Sequence, residues 1–411
     1  MNKALETLKG RGFFQQCTDV TGLSAAMDAA PITFYIGCDP TGDSLHIGHL
    51  VPFFAFRHLR AAGHSGIALI GGGTARIGDP SGKTEMRRML SYEQLDANAA
   101  RIERQLDRFI GFDGKTARAE NNKTWLAGLN YIDFLRDIGS CFSVNKMLAF
   151  ESYRKRLETG LSFIEFNYQL LQSYDFLMLR ERHNCVLQIG GDDQWGNIVA
   201  GADLIRRKTG GEAFGLTFPL VTRSDGRKMG KTEQGAVFLD PALTPVYDFF
   251  QYWRNVADED VRKFLLLFTF LPLDEVEALS AGGVNAAKER LAYEATRLIH
   301  GAFEADRALA GARAAFGGGG DREALPAWEA PRARLDSGYP AAELFADCGL
   351  CASKSEARRL IRQGGAFASD FRGDLQPLGG ENPPVGSDRL DGAGALLLRA
   401  GKKRFCRILA R

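Results

Sequence analysis

Histidine is scarce in this chain, six residues in 411, yet two of the six stand together in Cys38-Asp-Pro-Thr-Gly-Asp-Ser-Leu-His-Ile-Gly-His49. Three positions apart, His46 and His49 share one face of a helix if a helix begins here. Its first turn offers free backbone N–H groups and the positive end of the helix dipole, a site for anions. Asp43 or Ser44 is placed to cap that helix. Gly48 leaves room for a flat ring to approach the backbone. An isolated His-x-x-His is more often a capped surface turn. The preceding Asp39-Pro40-Thr41-Gly42 favours function instead. A second cluster is Arg227-Lys228-Met-Gly-Lys231-Thr232, after Ser224-Asp225-Gly226. Two lysines flanking a glycine suit a basic loop that grips polyphosphate. Alone, such a cluster is usually a solvated patch of charge.

Two further groups are subtler. Tyr168, Gln172 and Asp175 stand at i, i+4 and i+7, a polar stripe on one helix face. Asp175 lies among Leu170, Leu171, Phe176 and Leu177, so a buried carboxylate there needs hydrogen-bond partners. Gly190-Gly-Asp-Asp-Gln-Trp-Gly-Asn197 follows an apolar run and puts Asp193 and Gln194 at its carboxyl end, where a ribose can be held. Other glycine-rich stretches fail as motifs. Gly71 and Gly73 begin a dinucleotide fingerprint, but Arg76 occupies its third glycine position. Gly82-Lys83-Thr84 resembles the end of a P-loop, but Ile77 stands where that loop needs glycine, so a P-loop kinase is a weak reading. Cys348-Gly-Leu-Cys351 has no second ligand pair for zinc and reads as two small apolar residues. Seven scattered cysteines give no disulfide framework.

These residues need elements to position them. Residues 32–39, 66–70, 185–189 and 216–221 read as strands, and 44–62 as a helix that Pro52 should kink or end. Strands alternating with helices predict an α/β, Rossmann-like parallel sheet with its ligand beyond the strands' carboxyl ends. Residues 91–180 are mostly helical in period and read as an insertion. The expected organisation is a catalytic domain over 1–240, an α-helical domain over 241–316, a Gly- and Pro-rich linker over 317–340, and a small α+β module over 341–411.

Charge divides along the same lines. The whole chain carries 52 Lys and Arg against 50 Asp and Glu, which taken alone predicts no nucleic-acid partner. Residues 351–411 hold twelve and six of these, a local +6; the remaining 40 and 44 leave −4. Lys354, Arg358 and Arg362 make one basic stripe with Arg359 beside it, while Ala357, Leu360 and Ile361 face a core. Such a stripe suits RNA phosphates. No apolar run is long enough to span a membrane. Met1 to Gln16 lacks an apolar targeting segment, so a reducing cytoplasm is the expected compartment.

Taken together, the chain resembles the class I aminoacyl-tRNA synthetases. His46-Ile-Gly-His49 is similar to their HIGH signature. Lys228-Met-Gly-Lys-Thr232 is similar to their KMSKS loop, with Gly230 and Thr232 where the consensus has serine. Tyr35, the Tyr168/Gln172/Asp175 stripe and the Gly-Gly-Asp-Asp-Gln segment resemble the bacterial tyrosyl-tRNA synthetases. Residues 341–411 resemble an S-four-type RNA-binding module. The resemblance implies activation of L-tyrosine by ATP, with Mg²⁺, then transfer of the tyrosyl group to the 3′-terminal ribose of tRNA(Tyr). It places Tyr35 and Asp175 on the substrate phenol, and Tyr168, Gln172 and Asp79 on its ammonium group. Gln194 meets the amino-acid end. Gly37, Asp39, Gly48, His49, Asp193 and Lys231 are assigned to ATP. Thr41, His46, Lys83, Arg87, Lys228, Lys231 and Thr232 are assigned to the leaving pyrophosphate. It implies no protein metal site and a homodimer built from the inserted helices. The alternatives are a tryptophan-specific relative, which shares both signatures, and a non-catalytic RNA-binding paralogue.

Overall fold

A computed structural model describes residues 1–81, 90–226, 229–232, 235–315, 325–401 and 404–411, and of residues 152, 155, 231, 232 and 315 the backbone alone. Lys83, Arg87 and Lys228 therefore lie outside the described residues, as do the side chains of Lys231 and Thr232.

The apolar runs form a six-stranded sheet: β1 (Gln16–Cys17), β2 (Thr33–Cys38), β3 (Ser65–Ile70), β4 (Ala117–Asn121), β5 (Cys185–Gly191) and β6 (Phe214–Phe218), in the order β1-β6-β5-β2-β3-β4. All neighbours run parallel except β1, which pairs antiparallel with β6 at the edge. Parallel strands are covered on both faces, so they are apolar almost throughout. In β3 every residue after Ser65 is buried. The chain leaves β2 towards β3 and β4 on one side, and β5 towards β6 on the other. The crevice between the carboxyl ends of β2 and β5 is thus the switch point where α/β sheets bind ligands. The α/β parallel-sheet class expected from the sequence holds.

Four local expectations are corrected. The helix expected from Ser44 begins later: a 3₁₀ turn, Ile47–His49, leads into the helix Leu50–Ala61. Residues 45–47 are held extended because Leu239 N–H donates to the Leu45 carbonyl at 2.8 Å and Ile47 N–H to that of Val237 at 3.0 Å. Neither Asp43 nor Ser44 caps the turn. His46 does, its ring Nδ1 accepting the Gly48 N–H at 3.1 Å, while the Ser44 hydroxyl donates to the Leu45 carbonyl. Pro52 is the third residue of its helix, where an N–H has no intrahelical partner to lose, so the helix runs on to Ala61. Within 91–180, helices Tyr92–Ile110 and Phe163–His183 flank β4, a strand the sequence reading missed. Its residues, Ala-Arg-Ala-Glu-Asn, form a half-buried edge with too little apolar content to announce it.

The chain divides into two compact units, residues 1–245 with 254–295, and residues 246–253 with 296–411. The region expected as one helical domain is therefore shared between them. In the second unit a five-stranded sheet takes the order Leu375–Pro377, Ala366–Ser369, Ala395–Ala400, Arg404–Ala410, Ala327–Ala330. Helices Ala341–Asp347 and Lys354–Arg362 supply Leu344, Phe345, Ala357 and Ile361 to its core. Ala327–Ala330, within the stretch expected as linker, pairs parallel with the last strand, Trp328 opposite Ile408. Pro326 and Pro331 bracket that strand. Proline at strand ends removes no ladder hydrogen bond, so those prolines mark strand limits here.

Candidate active site

Tyr35 projects from β2 beside the switch point and is 1% exposed, its ring 5.2 Å from that of Phe176. Its hydroxyl is buried and has no hydrogen-bond partner among the described residues. Asp175, on the helix Phe163–His183, is 2% exposed. Asn122 Nδ2 donates to its Oδ2 at 2.8 Å and Trp125 Nε1 to its Oδ1 at 2.7 Å. Burial pushes the Asp175 carboxyl up to about 8 despite those two donors, and the negative Asp39 acts in the same direction. Burial, followed by the charge of Asp175, holds the Tyr35 phenol well above its ordinary range. The result is one phenol and one carboxyl buried among apolar side chains within electrostatic reach of each other.

An unbroken polar chain supports that end. The Tyr168 hydroxyl donates to Asp39 Oδ2 at 2.9 Å and the Thr74 hydroxyl to Asp39 Oδ1 at 2.8 Å. Thr74 in turn accepts from Asn122 Nδ2 at 2.9 Å, and Asn122 reaches Asp175. Asp39, expected among the ATP contacts, thus has both carboxylate oxygens engaged within the protein. Gly71 makes this possible: a Cβ there would lie 1.9 Å from Asp39 Oδ1. A second network joins three expected residues through one that was not expected. Gln194 Nε2 donates to Asp79 Oδ2 at 2.7 Å. Asn197 Nδ2 donates to Gln172 Oε1 at 3.1 Å and to Gln194 Oε1 at 3.2 Å. The first network ties Asp39, just past β2, to the helix Phe163–His183, and the second ties that helix to Gln194, just past β5.

The two signature stretches meet through backbone. His46 and His49 stack at 3.8 Å, and His46 N–H donates to His49 Nδ1 at 3.1 Å. Val237, which accepts from Ile47, donates its own N–H to the Gly230 carbonyl at 2.9 Å. Gly230 has φ +81°, and a Cβ on it would lie 2.8 Å from the Gly48 nitrogen. A Cβ on Gly48 would lie 2.8 Å from the Met229 carbonyl. Neither position tolerates a side chain in this arrangement, and Gly230 also needs its left-handed backbone. Lys231 and Thr232 follow in a short hairpin with Gly235–Ala236. Around this junction, Thr41 is exposed just past β2, and a Cβ on Gly37 would meet no heavy atom within 4 Å, so that side of the strand is open. Asp193 sits in the turn Asp192–Gln194 at the carboxyl end of β5.

In the second unit, Lys354, Arg358, Arg359 and Arg362 are all exposed on their helix, capped by Ser353 as the sequence allowed. Lys354 pairs with Glu343 at 2.9 Å, whereas the three arginines make no ion pair among the described residues.

Comparison with known proteins places this architecture. Residues 27–317 match the family described as tRNA synthetases class I (W and Y). The chain is 62% identical over 410 residues to a tyrosine–tRNA ligase of Treponema denticola, covering 100% of both chains. A tyrosine–tRNA ligase of Treponema pallidum is 62% identical over 409 residues, covering 100% of this chain and 99% of its own. A C-terminally truncated mitochondrial tyrosyl-tRNA synthetase of Coccidioides posadasii superposes with a TM-score of 0.65 at 31% identity, covering 74% of this chain and 90% of that one. This chain belongs to the class I tRNA synthetases. Within a synthetase of this class, the residues that sequence reasoning missed are Thr74, Asn122, Trp125 and Asn197. Asn122 follows β4 directly, so recognising β4 as a parallel strand would have placed it at the ligand edge. Thr74 and Trp125 carry no such signal; they matter only through Asp39 and Asp175.

Proposed function

We propose that this synthetase ligates tyrosine to tRNA(Tyr). The observation that carries the reading is the unpartnered Tyr35 hydroxyl beside the doubly hydrogen-bonded Asp175. A phenol ring entering here gives Tyr35 the partner it lacks and offers its own hydroxyl to Asp175. Phenylalanine leaves the Tyr35 hydroxyl unpaired in a buried site and brings Asp175 no donor beyond Asn122 and Trp125, which is costly. A tryptophan indole is larger and carries its N–H elsewhere on the ring. Tyr168, Gln172 and Asp79 receive the ammonium group, with Gln194 at the amino-acid end.

In the first step a carboxylate oxygen of tyrosine attacks the α-phosphorus of ATP, and the bond to pyrophosphate breaks. In the second, the 3′-terminal ribose hydroxyl attacks the adenylate carbonyl and AMP leaves. The substrate is its own nucleophile, so the protein contributes alignment and charge stabilisation. ATP enters with Mg²⁺ and lies against Gly37, Gly48, His49 and Asp193. Thr41, His46, Lys83, Arg87, Lys228, Lys231 and Thr232 stabilise the departing pyrophosphate. Asp39 acts through Tyr168. The exposed arginines of the second unit hold tRNA phosphates. Tyr131, Ile132, Val144 and Phe163 are large exposed apolar residues in the inserted segment, 55%, 67%, 55% and 70% accessible, and support a homodimer there. Seven free cysteines fit a reducing cytoplasm. Pyrophosphate exchange into ATP, run with each amino acid in turn, tests the reading: tyrosine alone should support it. Exchange with tryptophan, or with none, overturns it.

A further inference from the structure

We infer that Asp260 is a positioning residue for the Lys228–Thr232 loop; the inference rests on reading that loop as the grip on pyrophosphate. Asp260 ends a 3₁₀ turn, Asp258–Asp260, that opens the helix Val261–Phe268, and it is 3% exposed. Its carboxylate takes three contacts from a single loop residue. The Ser224 N–H donates to both oxygens at 3.0 Å, and the Ser224 hydroxyl donates to Oδ2 at 3.0 Å. One turn further along, Lys263 Nζ donates to the Thr222 carbonyl at 2.6 Å. Two side chains from one helix start therefore hold residues 222 and 224.

The loop those residues begin is closed at its neck, where Met229 N–H donates to the Val221 carbonyl at 3.1 Å. Inside it, Gly226 N–H donates to the Arg223 carbonyl at 2.9 Å, and the Arg223 guanidinium pairs with Asp225 at 3.0 Å. Beyond the neck, Gly230 rests on Gly48. Residues 222 and 224 are thus held by Lys263 and Asp260, and Gly230 lies against the histidine signature; Lys228 between them lies outside the described residues. A buried carboxylate is costly unless it is fully hydrogen-bonded, and here its bonds run to a surface loop. Charge-assisted bonds of this kind are the strong ones. They hold the residues that lead into the basic segment before the pyrophosphate departs, so their loss should slow the chemical step and leave tyrosine binding alone.

The test uses the full chain in pyrophosphate exchange. Asp260→Ala should lower kcat about tenfold, the worth of a hydrogen-bonded charge, while KM for tyrosine stays within about twofold. Ser224→Ala removes one contact of three and should lower kcat less. The double variant should be no slower than Asp260→Ala, because both act through one contact. If Asp260→Ala does not fold, Asp260→Asn, which keeps the side chain's shape and one acceptor, should still show a kcat loss at unchanged tyrosine KM. An unchanged kcat overturns the inference. So does a tyrosine KM that rises with falling melting temperature, which marks a general structural role, and so does a double variant whose losses multiply. A wild-type chain inactive with tyrosine overturns the functional reading first, and the inference with it.

Discussion

Tyr35→Phe separates stability from function, because the structure requires the two to move in opposite directions. The Tyr35 hydroxyl is buried and without a partner among the described residues. A buried polar group left unsatisfied costs about 1–3 kcal/mol. Removing the oxygen relieves that cost, and the ring keeps its packing on Phe176. The ligand-free variant should therefore be more stable by about 1 kcal/mol, a rise of about 2 °C in melting temperature for a domain of this size. With tyrosine bound, the same change deletes a hydrogen bond. A net loss of about 0.5–1.5 kcal/mol lowers kcat/KM for tyrosine about 2- to 13-fold. Discrimination against phenylalanine should fall by a similar factor, since phenylalanine then leaves no Tyr35 hydroxyl unpaired. Differential scanning fluorimetry without ligand, and pyrophosphate exchange with tyrosine and with phenylalanine, measure both halves. A variant that melts lower without ligand while using tyrosine as well as wild type refutes the reasoning: the hydroxyl would then have a partner in the protein and none in the substrate.

Other consequences are checked as directly. Asp175 is pushed up to about 8 from an ordinary 3.8, so between those values the folded protein keeps a proton that the unfolded chain has lost. That contribution to stability is complete below the ordinary value and lost as pH rises to about 8; Asp175→Asn should flatten this part of the slope, as read from urea midpoints across the range, and should also abolish tyrosine use. Gly230→Ala places a Cβ 2.8 Å from the Gly48 nitrogen on a backbone of φ +81°. Left-handed strain alone costs roughly 1–2 kcal/mol, so kcat for exchange should fall by about 5- to 30-fold. Arg358→Glu with Arg362→Glu should spare pyrophosphate exchange, weaken tRNA charging and flatten its salt dependence. Phe163→Asp should shift the chain towards monomer in sedimentation velocity.

The legible parts of this protein were those governed by local periodicity. Strands β2, β3, β5 and β6 are apolar because both faces of a parallel sheet are covered, and each is visible as a run. The stripe on Tyr168, Gln172 and Asp175 is visible because helical spacing puts them on one face. What was hidden depends on pairing between distant segments. β4 is half-buried and polar. Asn122 acquires meaning only once β4 brings it to Asp175, 53 positions away in sequence. The helix start at Leu50 is set by residues 237–239, nearly two hundred positions on, and no local capping rule anticipates that. Ala327–Ala330 is a strand only because Arg404–Ala410 offers it an edge.

On the proposed reading, the two halves of the site solve opposite problems. At the phenol end, the protein must reject a ring that lacks one oxygen, and geometry alone is weak at that. It therefore buries Tyr35 and Asp175 and leaves the Tyr35 phenol without a partner among the described residues, so that a missing substrate hydroxyl is felt at a buried, unpaired group. Holding such groups in place needs stiffness, which the chain Tyr168–Asp39–Thr74–Asn122–Asp175 supplies through hydrogen bonds of 2.8–2.9 Å. At the phosphate end, charge must be delivered to a group that changes position as pyrophosphate leaves. There the protein uses glycine against glycine, Gly48 beneath Gly230, and a loop held by its backbone at a few points. A side chain at either glycine would meet the facing backbone at 2.8 Å and push the two segments apart. If specificity comes from a phenol held buried and unpaired and rate from backbone allowed to approach closely, substitutions at the two ends should separate into effects on amino-acid choice and effects on kcat.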